Sequence, residues 1–373
     1  MLLDNRIEKL AYGLVNYSCA LKKGENLLIE STGADYQLVN AIIKEAYKVG
    51  ANVLYTINDS RIKREMLKGL TKEQVELMTE IDVFKMEKMD AYIGIRGGNN
   101  SYELSDVPGD KMTLYNNIYS QKVHHNIRVD KTKWVILRYP TEGMAELSSM
   151  STEAFEDFYF NVCNLNYAKM DEAMTPLINL MNKTDKVRIV HPNGTDLSFS
   201  IKNIGAVKCS GLRNIPDGEV YSAPVKDSVN GVIQYNAPTV YNGNKHENVR
   251  LVFKNGKIIE ATSNKTKELN EVLNSDDGAR YVGEFAIGVN PYVKDPMCDI
   301  LFDEKISGSI HFTPGACYED AYNGNKSAVH WDLVLIQTQE YGGGEIYFDD
   351  ILIRKDGVFV VEELKCLNAE NLK

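Results

Sequence analysis

His330-Trp331-Asp332 places an imidazole and a carboxylate two positions apart, inside Ala328-Val329-His330-Trp331-Asp332-Leu333-Val334. On a strand this spacing turns both groups to one face, while Val329, Trp331 and Leu333 turn to the other. A second histidine, His311, stands nineteen positions upstream in Gly308-Ser309-Ile310-His311-Phe312, again in strand-like surroundings. The chain has six histidines in all, so two beside Asp332 in one short region is a concentration. Imidazole with carboxylate suits Zn, Co, Mn or Fe. Two acids stand apart from other charges: Glu284 in Val282-Gly283-Glu284-Phe285-Ala286-Ile287-Gly288, and Glu219 in Pro216-Asp217-Gly218-Glu219-Val220. A buried ionised carboxylate needs a partner, since desolvation otherwise costs several kcal/mol, and a metal ion is the natural one. From these residues alone three readings stay open: strand-surface ion pairs, an iron site using His311, His330 and Asp332 as a facial triad, and a larger metal site.

Such groups need rigid elements to hold them. Ile7, Leu10, Ala11, Leu14 and Val15 recur at helical spacing, and a second stripe, Leu38, Val39, Ile42, Ile43 and Ala46, stops at Gly50. Leu27-Leu28-Ile29, Val53 to Ile57, Ala91 to Ile95 and Trp134 to Leu137 read as strands between helices, with a long helix from about Ser151. That alternation predicts an α/β N-terminal domain with a mainly parallel sheet, over residues 1–183. No G-x-G-x-x-G follows the first strand, and Gly97-Gly98-Asn99-Asn100 reads as a structural turn rather than a nucleotide site. From Lys186 the pattern becomes strands joined by tight turns. Asn193-Gly194 and Asn255-Gly256 suit type I′ hairpins, and Asp356-Gly357 repeats the signal. Residues 184–373 are therefore expected to form a mainly antiparallel α+β, β-rich domain that carries Glu219, Glu284, His311, His330 and Asp332.

The formal charge of -10 argues against a nucleic-acid partner, which would need clustered Lys and Arg. The first residues lack the basic and apolar regions of an export signal, and no apolar run is long enough to span a bilayer. Cys19, Cys163, Cys209, Cys298, Cys317 and Cys366 are scattered singly, which suits reduced thiols. A cytoplasmic location without membrane attachment is the expectation.

The ordered set Gly218-Glu219-Val220, Gly283-Glu284-Phe285-Ala286-Ile287-Gly288, Phe302-Asp303-Glu304-Lys305, Gly308-Ser309-Ile310-His311 and Ser327-Ala328-Val329-His330-Trp331-Asp332 resembles the thermophilic-type metalloaminopeptidases. This is the family of aminopeptidase T, aminopeptidase S and peptidase S, and the resemblance runs over nearly the whole chain. It implies that Glu219, Glu284, His311, His330 and Asp332 ligate two divalent ions, Zn or Co with Mn as a third choice, and that one carboxylate bridges them. It further implies that Tyr318 and Glu284 are catalytic and that short peptides lose their N-terminal residue to a two-metal-activated hydroxide. A homodimer is implied as well. Pro314 departs from the commoner pattern between His311 and Tyr318. The competing expectations are a mononuclear iron dioxygenase on the same scaffold and an inactive binding protein. An iron triad leaves Glu219 and Glu284 without a role. Asp303-Glu304-Lys305 reads physically as a charged turn, His191 and His246 as solvated residues beside turns, and His124-His125 as a surface pair.

Overall fold

The computed structural model describes residues 4–34, 36–100, 102–241 and 243–373. Two compact units divide the chain: residues up to Asn164 with Gly211–Ile215, and Leu165–Ser210 with Pro216–Lys373.

The first unit is built on a parallel sheet in the order Asn52–Asn58, Asn26–Thr32, Ala91–Arg96, Lys133–Arg138 and Asn214–Ile215. Leu27, Leu28 and Ile29 are buried, as a strand covered on both faces requires. The helix Asn5–Tyr12 starts where the Asp4 carboxylate accepts the Arg6 amide at 2.8 Å, and its stripe Ile7, Leu10 and Ala11 is buried. The helix Tyr36–Val49 ends at Gly50, whose φ of 86° supplies the left-handed cap. The α/β reading with a mainly parallel sheet holds.

The second unit begins earlier than the expected 183/184 boundary. Helix Tyr167–Met181 buries Met170, Met174 and Leu177, and it packs on the strands Val207–Cys209 and Glu219–Ser222, so it belongs with them. The chain also returns once to the first unit, where Asn214–Ile215 adds its parallel edge strand. Sequence periodicity shows a helix's apolar face but not which sheet that face meets.

Two large antiparallel sheets follow in this unit, beside the two-stranded pair Thr239–Tyr241 and Asn244–His246. Eight strands run in the order Lys257–Thr262, Arg250–Lys254, Asn230–Gln234, Thr195–Ser200, Lys186–His191, Glu345–Phe348, Ile351–Lys355 and Val358–Phe359. Asn255-Gly256 and Asp356-Gly357 have positive φ at both positions, as their type I′ turns need. Pro192-Asn193-Gly194 differs, since only Gly194 is positive there and the Asn193 side-chain Oδ1 accepts the Thr195 amide at 3.1 Å. The second sheet runs Val334–Ile336, Ser309–Pro314, Val282–Gly288, Glu219–Ser222 and Val207–Cys209. Phe285 and Phe312 of this sheet meet Phe199 of the larger one, with ring centroids 5.0 Å apart in both pairs. This aromatic layer is the core beneath the ligand face.

Candidate metal centre

Alternation along three strands of the five-stranded sheet builds the site. Phe285 and Ile287 point into the core, so Glu284, Ala286 and Gly288 share the opposite face. On the next strand Phe312 faces the core, which sends His311 and Thr313 to that same opposite face. Across the ladders His311 stands opposite Ala286, and Glu219 stands opposite Gly288. Each of these two large polar groups is thus paired with a residue of little or no side chain. The sheet keeps an open floor between them.

Two glycines allow the close approaches that complete the floor. A Cβ on Gly283 would lie 2.0 Å from the Ala316 carbonyl oxygen, at the bulge between Val282 and Glu284 that re-aims the strand. Gly315, at φ 111°, bridges His330, and a Cβ there would lie 2.0 Å from the Val329 carbonyl oxygen. His330 and Asp332 do not lie on a regular strand as expected. Only Val334–Ile336 is strand, and His330 makes a single bridge to Gly315. The alternation nevertheless survives: Val329, Trp331 and Leu333 are buried, and Trp331 stacks on Tyr241 at 4.5 Å and donates its indole N–H to Thr239 at 3.2 Å.

The five ligand candidates converge. His311 Nε2 lies 3.5 Å from Glu219 Oε2 and 3.3 Å from Glu284 Oε1, while His330 Nε2 lies 3.2 Å from Glu284 Oε2 and 3.3 Å from Asp332 Oδ1. Atoms bound about 2.1 Å from one ion stand roughly 3.0–3.4 Å from each other in octahedral or tetrahedral arrangements, so these separations fit shared ions. His330 Nδ1 is 2.8 Å from the Ala316 carbonyl oxygen, and a proton donated there would leave Nε2 as the atom that ligates an ion once its own proton is displaced. Glu219 Oε2 is buried with no hydrogen-bond partner, an acceptor that calls for a cation. The donor set fits divalent metal.

Electrostatics point the same way. Burial would lower both imidazoles, but Asp332 and Glu284 raise His330 to about 12, and Glu219 and Glu284 raise His311 to about 10. Burial would raise Asp332 and Glu284, yet His330 and His311 hold both below their ordinary values. In the ion-free protein the imidazoles thus keep protons that offset surplus negative charge, and metal ions would take over that task.

Tyr318 stands beside the ligand candidates despite Pro314, which ends the His311 strand. Its ring lies 4.8 Å from the His330 ring and 5.6 Å from that of Tyr221, and 48% of the residue remains exposed. Partial desolvation of the phenol at the cleft, with Glu284 and Asp332 nearby, raises its pKa and keeps the hydroxyl a donor.

Sequence reasoning missed four neighbours. Asp303-Glu304-Lys305 is not a solvated turn: the helix Ile300–Asp303 leads into it, Asp303 and Lys305 are buried, and Lys305 Nζ lies 2.6 Å from Glu219 Oε1 and 2.6 Å from Glu304 Oε1. Asp217 Oδ1 is 3.5 Å from the same ammonium. Thr313 donates its hydroxyl to Asp332 Oδ1 at 2.7 Å, a contact that its i+2 spacing from His311 could have suggested. His191 and His246 are also buried rather than solvated: His191 Nε2 lies 3.1 Å from the Tyr341 carbonyl oxygen, and His246 packs edge-on to Trp331. His124 is half-buried and His125 exposed. A separate cavity of about 630 Å³ in the first unit, beside Gly33 and Gly97-Gly98, contains none of the ligand candidates.

Residues 3–350 match the family described as thermophilic metalloprotease (M29). The chain belongs to this family. As one of the thermophilic metalloproteases it is a metal-dependent peptide hydrolase. It is similar to aminopeptidase AmpS of Bacillus subtilis, with 26% identity over 370 residues and 89% of each chain covered. Aminopeptidase T of Thermus thermophilus is 24% identical over 400 residues, covering 92% of this chain and 95% of that relative. Among solved structures, AmpT from Thermus thermophilus matches with a TM-score of 0.77 and 20% identity, over 96% of this chain and 100% of that one. The 2,5-dihydroxypyridine dioxygenase of Pseudomonas putida KT2440 matches with a TM-score of 0.60 and 13% identity, over 96% and 98%. At these identities the two structures show a shared fold. Among the described residues no helix is long and apolar enough to cross a membrane.

Proposed function

We propose that this M29 enzyme is an aminopeptidase that holds two divalent ions, Zn or Co with Mn as a third choice, through Glu219, Glu284, His311, His330 and Asp332. The observation that carries this reading is the convergence of two imidazole Nε2 atoms on three carboxylates at 3.2–3.5 Å, more donors than a single iron triad uses. When bound, the ions supply the Lewis acidity that polarises the scissile carbonyl and eases ionisation of the attacking water. Glu284 faces both imidazoles, one with each oxygen; it would help hold the ions, and it is assigned the proton-accepting role. Tyr318, half-exposed at the rim, donates its phenolic proton in a hydrogen bond to the oxyanion that develops on the substrate. Restriction to N-terminal residues needs recognition of a free amine, which the surplus of carboxylates favours.

Short peptides are the proposed substrates, and the aminopeptidase names of the relatives support that choice. A homodimer in the cytoplasm completes the reading. The edge strand Asn52–Asn58 leaves Leu54, Tyr55 and Ile57 exposed, which suits self-association, and the six cysteines are free thiols. Metal content by elemental analysis, paired with release of amino acid from matched free and N-acetylated tripeptides, tests the proposal. Two ions per chain and cleavage of the free peptide alone are expected. Efficient cleavage of the acetylated peptide would sink the aminopeptidase assignment.

A further inference from the structure

Lys305 is a buried lysine set among acids. Its side chain is 1% exposed, and Nζ lies 2.6 Å from Glu219 Oε1, 2.6 Å from Glu304 Oε1 and 3.5 Å from Asp217 Oδ1. At this burial, and with a hydrogen bond made to Glu219, the ammonium is not presented to a substrate. Lys305 therefore acts through its neighbours.

Those neighbours make the cluster lopsided. Two groups of ligand atoms share His311: Glu219, Glu304 and His311 on one side, and Glu284, His311 and Asp332 on the other, with His330 extending the second. On the second side the carboxylates face the two imidazoles and the Thr313 hydroxyl, all of which are neutral once ions are bound. On the first side a permanent positive charge touches two of three members. It occupies one oxygen of each carboxylate and repels a divalent cation within the same low-dielectric pocket. Glu219 nonetheless keeps Oε2 buried and without a hydrogen bond, beside His311 Nε2, so this side retains a usable ligand. The ammonium also offsets part of the negative charge gathered by Asp217 and Glu219, which lets this corner of the unit form before any ion arrives.

We propose that Lys305 is a fixed cation that positions Glu219 and Glu304 and makes the ion position on their side the weaker, exchangeable one of the two. The tight position then belongs to Glu284, His330 and Asp332. This inference rests on the two-ion reading above and adds a residue and an order of filling to it.

Calorimetric titration of the metal-free full-length chain with Co²⁺ tests it, with Co²⁺ absorption bands as a second readout. Wild type is expected to bind two ions with distinct affinities. Lys305→Met should tighten the second ion about tenfold or more while leaving the first unchanged, because the repulsive charge is gone. Lys305→Arg, which keeps the charge, should keep the weak second ion. Should Lys305→Met fail to fold, the pair Asp217→Asn with Lys305→Met removes one anion with the cation and is expected to show the same tightening. An unchanged or weaker second ion in the neutral variants, or two equal affinities in wild type, overturns the role of Lys305 and leaves the two-ion reading standing. A stoichiometry of one ion in wild type and variants at saturation overturns the two-ion reading, and this inference with it.

Discussion

His311, Phe312 and Thr313 are consecutive on one strand, yet they serve opposite faces of the sheet. Phe312 is fully buried in the aromatic layer with Phe199, Phe253 and Phe285. His311 and Thr313, one residue either side, reach Glu219, Glu284 and Asp332. Cohesion on the Phe312 face comes from removal of apolar area from water, and no ion is involved in it. On the ligand face, charges that repel one another are collected and held in place by that same backbone. Stability and chemistry are thus separable here at single-residue resolution, although the two faces share every peptide bond.

Phe312→Ala is expected to have the largest effect, a destabilisation of about 3–5 kcal/mol read by urea denaturation, because a buried ring leaves a cavity. Turnover per folded molecule should be retained. A mild loss of stability, with turnover abolished, would show that the faces are not separable. Glu284→Gln should do the reverse, with near-native circular dichroism but a loss of turnover of about a hundredfold or more and lower metal occupancy. Wild-type turnover with full metal content would remove Glu284 from the site.

Tyr318→Phe separates donor from ligand: kcat is expected to fall by about a hundredfold while metal content stays the same. If only KM moves, the phenol binds substrate rather than stabilising the oxyanion. Thr313→Val is the finest probe, since it removes the hydroxyl donated to Asp332 and changes nothing on the core face. Loss of about tenfold in affinity for the ion on that side is expected from titration, as for other groups that orient a ligand. No change in affinity would make the Thr313 contact incidental to metal binding.

Strand periodicity made most of the ligand face legible. The alternation in Val282 to Gly288 and in Ala328 to Val334 sorted Glu284, His330 and Asp332 away from Phe285, Ile287 and Trp331, and the same rule holds in the folded unit. It holds even where His330 leaves the regular strand, because side-chain direction follows from extended backbone rather than from a complete hydrogen-bond ladder. The parallel sheet of the first unit was equally readable from its buried runs and Gly50. Lys305 was not. Between Glu304 and Ile306 its type and spacing match those of a solvated turn, and a charge becomes buried only when remote acids supply its partners. Asp217 and Glu219 lie more than eighty positions upstream of it, and only the tertiary structure brings them within reach. Helix Tyr167–Met181 went to the wrong domain for a related reason, since an amphipathic face states that it will be buried but not against what. Local patterning therefore determined which side chains share a face, because backbone geometry repeats every two residues in a strand and every 3.6 in a helix. Which faces meet, which charges gain partners and where the ammonium of Lys305 sits among the carboxylates depend on contacts between distant segments, and only the folded chain decided those.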